Sequence, residues 1–133
     1  GMNWVGQHEW NTADHVFANL GDGTYFHSGI LAIRQALASD ANMTYKILYN
    51  DAVAMTGGQQ IDGELTIPMI CQQILAEGAK DVSLVSVNPK QWKGKVPKEV
   101  ILTFLRFTSS LLIISKKSSI ILDDKFFEKP IFL

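Results

Sequence analysis

An aspartate between two glycines and a later asparagine form the pattern with the clearest chemical meaning in this chain. Asp22 stands in Gly21-Asp22-Gly23-Thr24, and Asn50 follows it after twenty-eight residues, at the end of the next apolar run. A carboxylate and an amide oxygen suit a hard cation that prefers oxygen ligands in octahedral geometry. Glycines on both sides of Asp22 allow a phosphate to approach the backbone closely. The pattern therefore predicts a divalent metal held against a diphosphate.

The elements that must position these residues are predicted as alternating strands and helices. A short strand over residues 15–19 ends at the Gly-Asp-Gly turn, and a helix follows over residues 28–38. A second strand, over 43–49, stops at Asn50. Thr66 and Pro68 mark the start of a further helix, and Gly78 is placed to end it. Residues 82–87 form an apolar run suited to a buried parallel strand.

This alternation predicts the α/β class, as a three-layer α/β/α domain with a largely parallel sheet and right-handed crossovers. Ligands of such sheets bind outside the carboxyl ends of the strands. Asp22 and Asn50 each follow a predicted strand, so both are expected at that edge. Thr24 leads into the first long helix, whose free amides and dipole suit a phosphate. The topology and the motif therefore predict one site.

Two stretches of the chain also resemble family signatures. They are similar to the diphosphate-binding domain of thiamine-diphosphate-dependent 2-oxoacid:ferredoxin oxidoreductases, most of all to the large chain of the indolepyruvate type. The resemblance extends over about residues 3–95, and it implies the thiamine-diphosphate-binding fold. The two stretches are Asn19-Leu20-Gly21-Asp22-Gly23-Thr24-Tyr25-Phe26-His27-Ser28-Gly29 and Tyr49-Asn50-Asp51-Ala52-Val53-Ala54-Met55-Thr56-Gly57-Gly58-Gln59.

The resemblance implies a set of ligands. Magnesium would be bound by the side chains of Asp22 and Asn50 and by the backbone carbonyl of Ala52. Thiamine diphosphate would contact the same turns, including the stretch that begins at Met55. The residues implied for the cofactor are Gly21, Asp22, Gly23, Thr24, Asn50, Ala52, Met55 and Thr56.

The resemblance also implies an activity, the oxidative decarboxylation of a 2-oxoacid with electrons passing through iron–sulfur clusters to ferredoxin. A second domain or chain would grip the aminopyrimidine of the cofactor. The chain has one cysteine, Cys71, so it cannot form a four-cysteine cluster by itself. Two interpretations stay open: an incomplete module of such an enzyme, and a non-catalytic remnant that folds and oligomerises without turnover. Residues 55–59 argue against a thiamine-dependent enzyme of another branch.

Each of these residues has a second interpretation. Asp22 alone would be an ordinary turn residue, and Asn50 is common where a strand enters a turn. Residues 55–59 form either a flexible turn or a contact with the cofactor. His27 follows the phosphate turn, where it is either structural or a proton-transfer group near the cofactor. His8 and His15 have no metal-ligand spacing with the cysteine and are interpreted as structural.

The composition of the chain limits the classes of protein to which it can belong. A chain of 133 residues with 47% hydrophobic residues is long enough for one domain with a buried core. A net charge of −1 predicts no binding to nucleic acid or to an anionic membrane. The longest uncharged apolar runs are shorter than a membrane span. The single cysteine and the absence of a secretory pattern lead us to expect a cytoplasmic protein.

The last part of the chain differs in character. Residues 1–95 are predicted as the core of the domain, whereas residues 96–133 contain no alanine or glycine and depart from the family pattern. If they complete the same domain, we expect strands over 100–104 and 120–122 and a helix over 108–117. A shifted or truncated reading frame would explain why the family sequence is absent here, and so would an unusual lineage. The apolar residues Phe126, Phe127, Ile131 and Phe132 are expected to pack against a second subunit, so we expect a homo-oligomer.

Overall fold

The computed structural model contains one parallel sheet of five strands. They are β1 (Val16–Gly21), β2 (Met43–Leu48), β3 (Asp81–Ser86), β4 (Ile101–Phe104) and β5 (Ser119–Asp123). Their order across the sheet is β1-β2-β5-β3-β4, and every pairing is parallel. The structure describes residues 1–39, 41–50, 58, 63, 65–104 and 119–123. The predicted α/β class with a parallel sheet is confirmed.

Four α-helical segments accompany the strands in the described part of the chain. They are α1 (Met2–Gln7), α2 (Asp22–Thr24), α3 (Ile30–Ala38) and α4 (Ile67–Ala76). A π-helical turn, Tyr25–Gly29, joins α2 to α3, so the backbone is helical without a break from Asp22 onward. The helix predicted to begin at residue 28 therefore begins six residues earlier, directly at the Gly-Asp-Gly turn. Among the described helices, none is long and apolar enough to span a bilayer.

Helix α4 shows how the sequence specifies its ends. Thr66 is the N-cap residue with an extended backbone, although its side chain makes no capping hydrogen bond. At the other end the Gly78 N–H donates to the Leu75 carbonyl and the Ala79 N–H donates to the Ile74 carbonyl. Gly78 has φ +96°, which only glycine adopts without strain. This arrangement is a Schellman motif, and it turns the chain directly into β3.

The core lies between one face of the sheet and two helices. Alternate residues of β2, which include Met43 and Ile47, are fully buried on this face, and Val82 and Leu84 of β3 share it by the strand register. The crossovers from β1 to β2 and from β2 to β3 run in the same direction, so right-handed connections bring α3 and α4 to the same face. Their buried residues are Ile33 and Ala36 on α3, and Ile67, Ile70, Cys71 and Ile74 on α4.

The last two described strands, β4 and β5, do not lie side by side in the sheet. Strand β4 begins one residue after the predicted start, and β5 contains the predicted residues 120–122. Strand β5 lies in the middle of the sheet, between β2 and β3, although it is the last strand in the chain. The helix predicted over 108–117 lies outside the described residues, as does most of the loop over 51–62.

Two buried tyrosines differ in whether the hydroxyl has a partner. Tyr25 donates to Gln73 Oε1 (2.9 Å), whereas the buried Tyr45 hydroxyl has no hydrogen-bond partner among the described residues. We expect Tyr45→Phe to leave the free energy of unfolding unchanged or to raise it by about 1 kcal/mol, because an unsatisfied hydroxyl is removed. The matched change Tyr25→Phe should lower it by about 1 kcal/mol. Urea denaturation measures both, and a larger loss for Tyr45→Phe would contradict the assignment.

Cys71 gives a chemical test of the core. Its side chain is fully buried, and burial raises the pKa of the thiol to about 12. Because thiol reagents attack the thiolate, we expect Cys71 to resist iodoacetamide at about pH 8 in the folded chain and to react once urea unfolds it. Below the unfolded pKa of about 8.5 the buried thiol has its full stabilising effect, which is lost as the pH rises toward the folded value. Mass spectrometry reports the labelling; rapid labelling of the folded chain would contradict this packing.

Candidate functional site

The ends of β1 and β2 bring the two sequence motifs together. These strands are neighbours, and Gly21 at the end of β1 is paired in register with Leu48 at the end of β2. Asp22 follows Gly21 directly, and Asn50 lies two residues after Leu48. Because the strands are parallel, both residues lie at the carboxyl edge of the sheet. The predicted juxtaposition of Asp22 and Asn50 is therefore present.

The Asp22 carboxylate links the two strand ends by hydrogen bonds. Its side chain is only 2% exposed. Asp22 Oδ1 accepts from the Gly23 N–H (2.9 Å), and Oδ2 accepts from the Asn50 backbone N–H (2.9 Å). Two N–H donors and the positive end of the following helix stabilise a carboxylate that burial would otherwise destabilise. Asp22 thus contacts the backbone of Asn50 through a bond that does not depend on the asparagine side chain.

The π-helical turn after Asp22 depends on a close approach to β1. A Cβ at Gly29 would lie 2.8 Å from Leu20 Cδ2 and 3.1 Å from the Thr24 carbonyl oxygen. A larger residue here would require the Leu20 side chain and the backbone of this turn to shift, which glycine avoids. The buried Tyr25 hydroxyl then reaches Gln73 on α4, which fixes the helix that begins at Asp22 relative to its neighbour.

The loop between β2 and α4 leaves and returns at the same edge. The Tyr49 hydroxyl donates to the Leu65 carbonyl (3.1 Å), and this bond joins the two ends of the loop. Near the end of the loop, Gly63 has φ +97°, and a Cβ there would lie 2.7 Å from the Phe26 ring. Phe26 belongs to the π-helical turn, so the returning chain packs beside the segment that carries Asp22.

The predicted site residues fall into three groups. The structure brings together the turn around Asp22 and Asn50, which lies two residues after the end of β2. His27 lies nearby in the π-helical turn, where its side chain is exposed and no hydrogen bond to it is found in the described residues. Ala52, Met55 and Thr56 lie outside the described residues, so their predicted roles stay predictions. The residues brought together are Gly21, Asp22, Gly23, Thr24 and Asn50.

The described residues contain no group of three or more histidine, cysteine, aspartate or glutamate side chains placed to hold a metal ion. The predicted magnesium site differs from such a group, because it has one carboxylate, Asp22, and otherwise neutral oxygens. The metal ligation of Asp22 and Asn50 stays a prediction.

A second polar cluster lies at the opposite, amino edge of the sheet. His15 Nδ1 donates to Asn42 Oδ1 (2.9 Å), and the His15 Nε2 lies 3.0 Å from Thr44 Oγ1. The Asn42 amide in turn donates to the Asp14 carbonyl (2.6 Å). The order hydroxyl, histidine, amide is that of a nucleophilic triad, but Thr44 is fully buried within β2 and offers no hydroxyl to a substrate. The cluster therefore joins the start of β1 to the start of β2.

One polar residue at the carboxyl edge, at the end of β3, could not be predicted from the sequence. Ser86, the last residue of β3, accepts the Asn88 backbone N–H (3.1 Å) and the Trp92 indole N–H (3.3 Å) with its hydroxyl oxygen. A serine at the end of an apolar run indicates little by itself. Its spacing from Trp92 becomes meaningful only once the 3-10 turn Pro89–Trp92 folds back on the strand.

Comparison with known proteins gives no match: no protein-family model matches the chain, and neither does a curated protein or a solved structure. Because a fold alone does not define a function, any assignment must depend on the residues of the site itself.

The hydrogen bonds of Asp22 predict its contribution to stability. We expect Asp22→Ala to lower the free energy of unfolding by about 1–3 kcal/mol, because the N–H groups of Gly23 and Asn50 lose their acceptor at a buried position. Asn50→Ala should cost less, because it retains the backbone N–H that contacts Asp22. Asp14→Ala, which changes an exposed aspartate, serves as the control. Urea denaturation of the three variants measures the order, and equal losses for Asp22→Ala and Asp14→Ala would contradict the hydrogen bonds described.

Proposed function

We propose that this chain is the diphosphate- and magnesium-binding module of a thiamine-diphosphate-dependent 2-oxoacid:ferredoxin oxidoreductase of the indolepyruvate type. The observation that carries the proposal is the contact between the two motifs. Asp22 and Asn50, twenty-eight residues apart, meet through a 2.9 Å hydrogen bond at the carboxyl edge of a parallel sheet. Parallel α/β sheets bind ligands at this edge.

Gly21 supports a ligand at this position. Its backbone is extended, with φ −74° and ψ 154°, which any residue adopts. A Cβ added at Gly21 would meet no atom of the described residues within 4 Å, and the residue is exposed. The packing of the described residues therefore gives no reason for a glycine here. A phosphate that approaches the backbone closely gives one.

The electrostatics of the turn also suit a magnesium diphosphate. Each oxygen of Asp22 accepts a backbone N–H, and carboxylate oxygens are ligands that magnesium prefers. A buried carboxylate attracts a cation more strongly than an exposed one, because the surroundings screen the charge less. The helix that starts at Asp22 presents its first amides on the same side, where they favour a phosphate. Asp22 and Asn50 would hold the metal, with the carbonyl of Ala52 as the third ligand from the chain.

Thiamine diphosphate, when bound, would supply the carbanion chemistry of 2-oxoacid decarboxylation. The residues of this chain would bind the diphosphate and orient the cofactor, and the exposed His27 is a proton-transfer candidate close to the turn. The chain's single cysteine cannot hold an iron–sulfur cluster. Electron transfer and the aminopyrimidine contacts would come from other domains or chains, so the isolated chain is expected to be inactive.

The strand order supports the three-layer fold that this function requires. Successive strands β1 to β4 run in one direction across the sheet, and β5 reverses it. In doubly wound sheets with right-handed crossovers, such a reversal accompanies helices on both faces. The homo-oligomer and the cytoplasmic location expected from the sequence belong to the same proposal.

One observation favours a second candidate, a non-catalytic remnant of the same domain. Both oxygens of Asp22 already have backbone donors, so the carboxylate ties the helix start to β2 without any ligand. In that case Asp22 would matter for stability alone. The two candidates differ in whether changes at Gly21 and Asp22 affect ligand binding separately from folding.

Calorimetric titration with thiamine diphosphate and magnesium tests the proposal. We expect weak, magnesium-dependent binding by the intact chain, which Asp22→Ala abolishes and Asp22→Asn reduces, because both remove the only full negative charge proposed at the metal. Asn50→Ala should weaken binding less. Gly21→Ala should weaken binding while the free energy of unfolding stays within about 0.5 kcal/mol, because the new methyl group occupies the space of the phosphate.

The matched control is Gly6→Ala, which also adds a methyl group where nothing lies within 4 Å but is located in α1. It should leave binding unchanged. Binding that survives both Asp22→Asn and Gly21→Ala would rule out the metal and phosphate assignment. No binding by the intact folded chain would favour the remnant, and reduction of a dye with a 2-oxoacid by the isolated chain would show that it is not an incomplete module.

A further inference from the structure

A lysine-rich loop follows β3 at the carboxyl edge. Four of the chain's twelve lysine and arginine residues lie within nine positions of this loop, whereas the net charge of the whole chain is −1. The only acidic residue of the segment 88–99 is Glu99. The loop therefore carries a local positive charge that the overall charge conceals. The four residues are Lys90, Lys93, Lys95 and Lys98.

The loop has a defined backbone. Its 3-10 turn and the residues that follow are closed by hydrogen bonds from the Lys93 N–H to the Lys90 carbonyl and from the Lys95 N–H to the Trp92 carbonyl. Gly94 has φ +79° and makes the reversal between them. The Trp92 indole is anchored on the hydroxyl of Ser86, the last residue of β3. The lysines are thus displayed from a fixed platform at the end of a core strand.

The four ammonium groups are available to a partner. All four lysines are exposed. Among the side chains that the structure describes, the one salt bridge joins Arg34 on α3 to Glu77, the residue after α4. None of these side chains forms a salt bridge with the four lysines of the loop.

An exposed aromatic side chain ends the strand beside β3. Phe104 ends β4 and is paired in register with Ser86, the residue on which the loop is anchored. Phe104 is 58% exposed. An apolar centre beside a charged rim is the composition of a protein–protein interface.

We propose that this lysine–phenylalanine surface, formed by Phe104 and the four lysines, is a docking surface for an acidic protein partner. Exposed lysines are hydrated point charges that steer an oppositely charged surface and adjust to it, whereas tight phosphate sites use buried, fixed donors. Trp92 is half-buried with its indole N–H bonded to Ser86, which leaves Phe104 as the exposed ring of this surface, whereas sites for single-stranded nucleic acid stack successive bases on several aromatic side chains. The surface is distinct from the proposed cofactor site: β5 and β2 separate β3 from β1, a distance of roughly 14 Å at the usual strand spacing.

Fluorescence anisotropy with the full chain tests this surface. The probe is a short fluorescein-labelled peptide of glutamate and leucine, titrated at low salt and at about 0.15 M salt. We expect binding that weakens with salt. Replacing the four lysines of the loop by glutamine should weaken it roughly tenfold or more and flatten its salt dependence. Phe104→Ser should also weaken it.

Two matched controls separate the surface from general effects. Replacing Lys46 and Lys80, two described lysines outside the loop, by glutamine removes the same charge as replacing Lys93 and Lys95, and it should weaken binding much less. Ile101→Ser alters an equally exposed residue (54%) at the other end of β4 and should also have little effect. Equal losses in the two lysine variants would overturn the proposal. So would tighter binding of duplex DNA or of phosphatidylserine vesicles than of the acidic peptide.

Discussion

The carboxylate of Asp22 is the interaction on which the arrangement at the carboxyl edge depends. It is a buried charge at the point where β1 becomes a helix, and it accepts one N–H from its own turn and one from the end of β2. A charge in this position requires donors of fixed geometry, so it sets where Asn50 lies relative to the helix start. The helix then continues past the π-helical turn to α3, whose Arg34 forms a salt bridge with Glu77 beside α4. The Asp22 carboxylate therefore positions both the site and the start of the helix that leads into α3.

Much of this arrangement could be predicted from the sequence because it depends on neighbouring residues. Thr66, Pro68 and Gly78 define α4 through rules that act within one or two turns. The strands β1 and β2 follow from short apolar runs and are consecutive in the chain, and their pairing brings Asp22 to Asn50. A chain with these local signals has few other ways to order its first two strands.

Other features depend on contacts between distant residues, and no local pattern indicates them. The π-helical turn exists because Gly29 passes against Leu20, a packing that helix periodicity does not reveal. The lysine loop becomes a surface only when Trp92 binds Ser86, and a count of charges for the whole chain hides it. The position of β5 between β2 and β3 is a choice among long-range pairings, which the sequence of residues 120–122 leaves undetermined. The roles of Ala52, Met55 and Thr56 rest on the resemblance alone.

The central position of β5 has a consequence for the order of folding. Strands β2 and β3 are not paired with each other; each is paired with β5, so within the sheet the pair β1–β2 and the pair β3–β4 are linked through residues 119–123. Two-stranded ribbons are marginally stable by themselves. On the ribosome, both halves must therefore wait for the last strand before one cooperative sheet can form. Until then the inner edges of β2 and β3 stay open, and the chain depends on slow, long-range closure for its protection against aggregation.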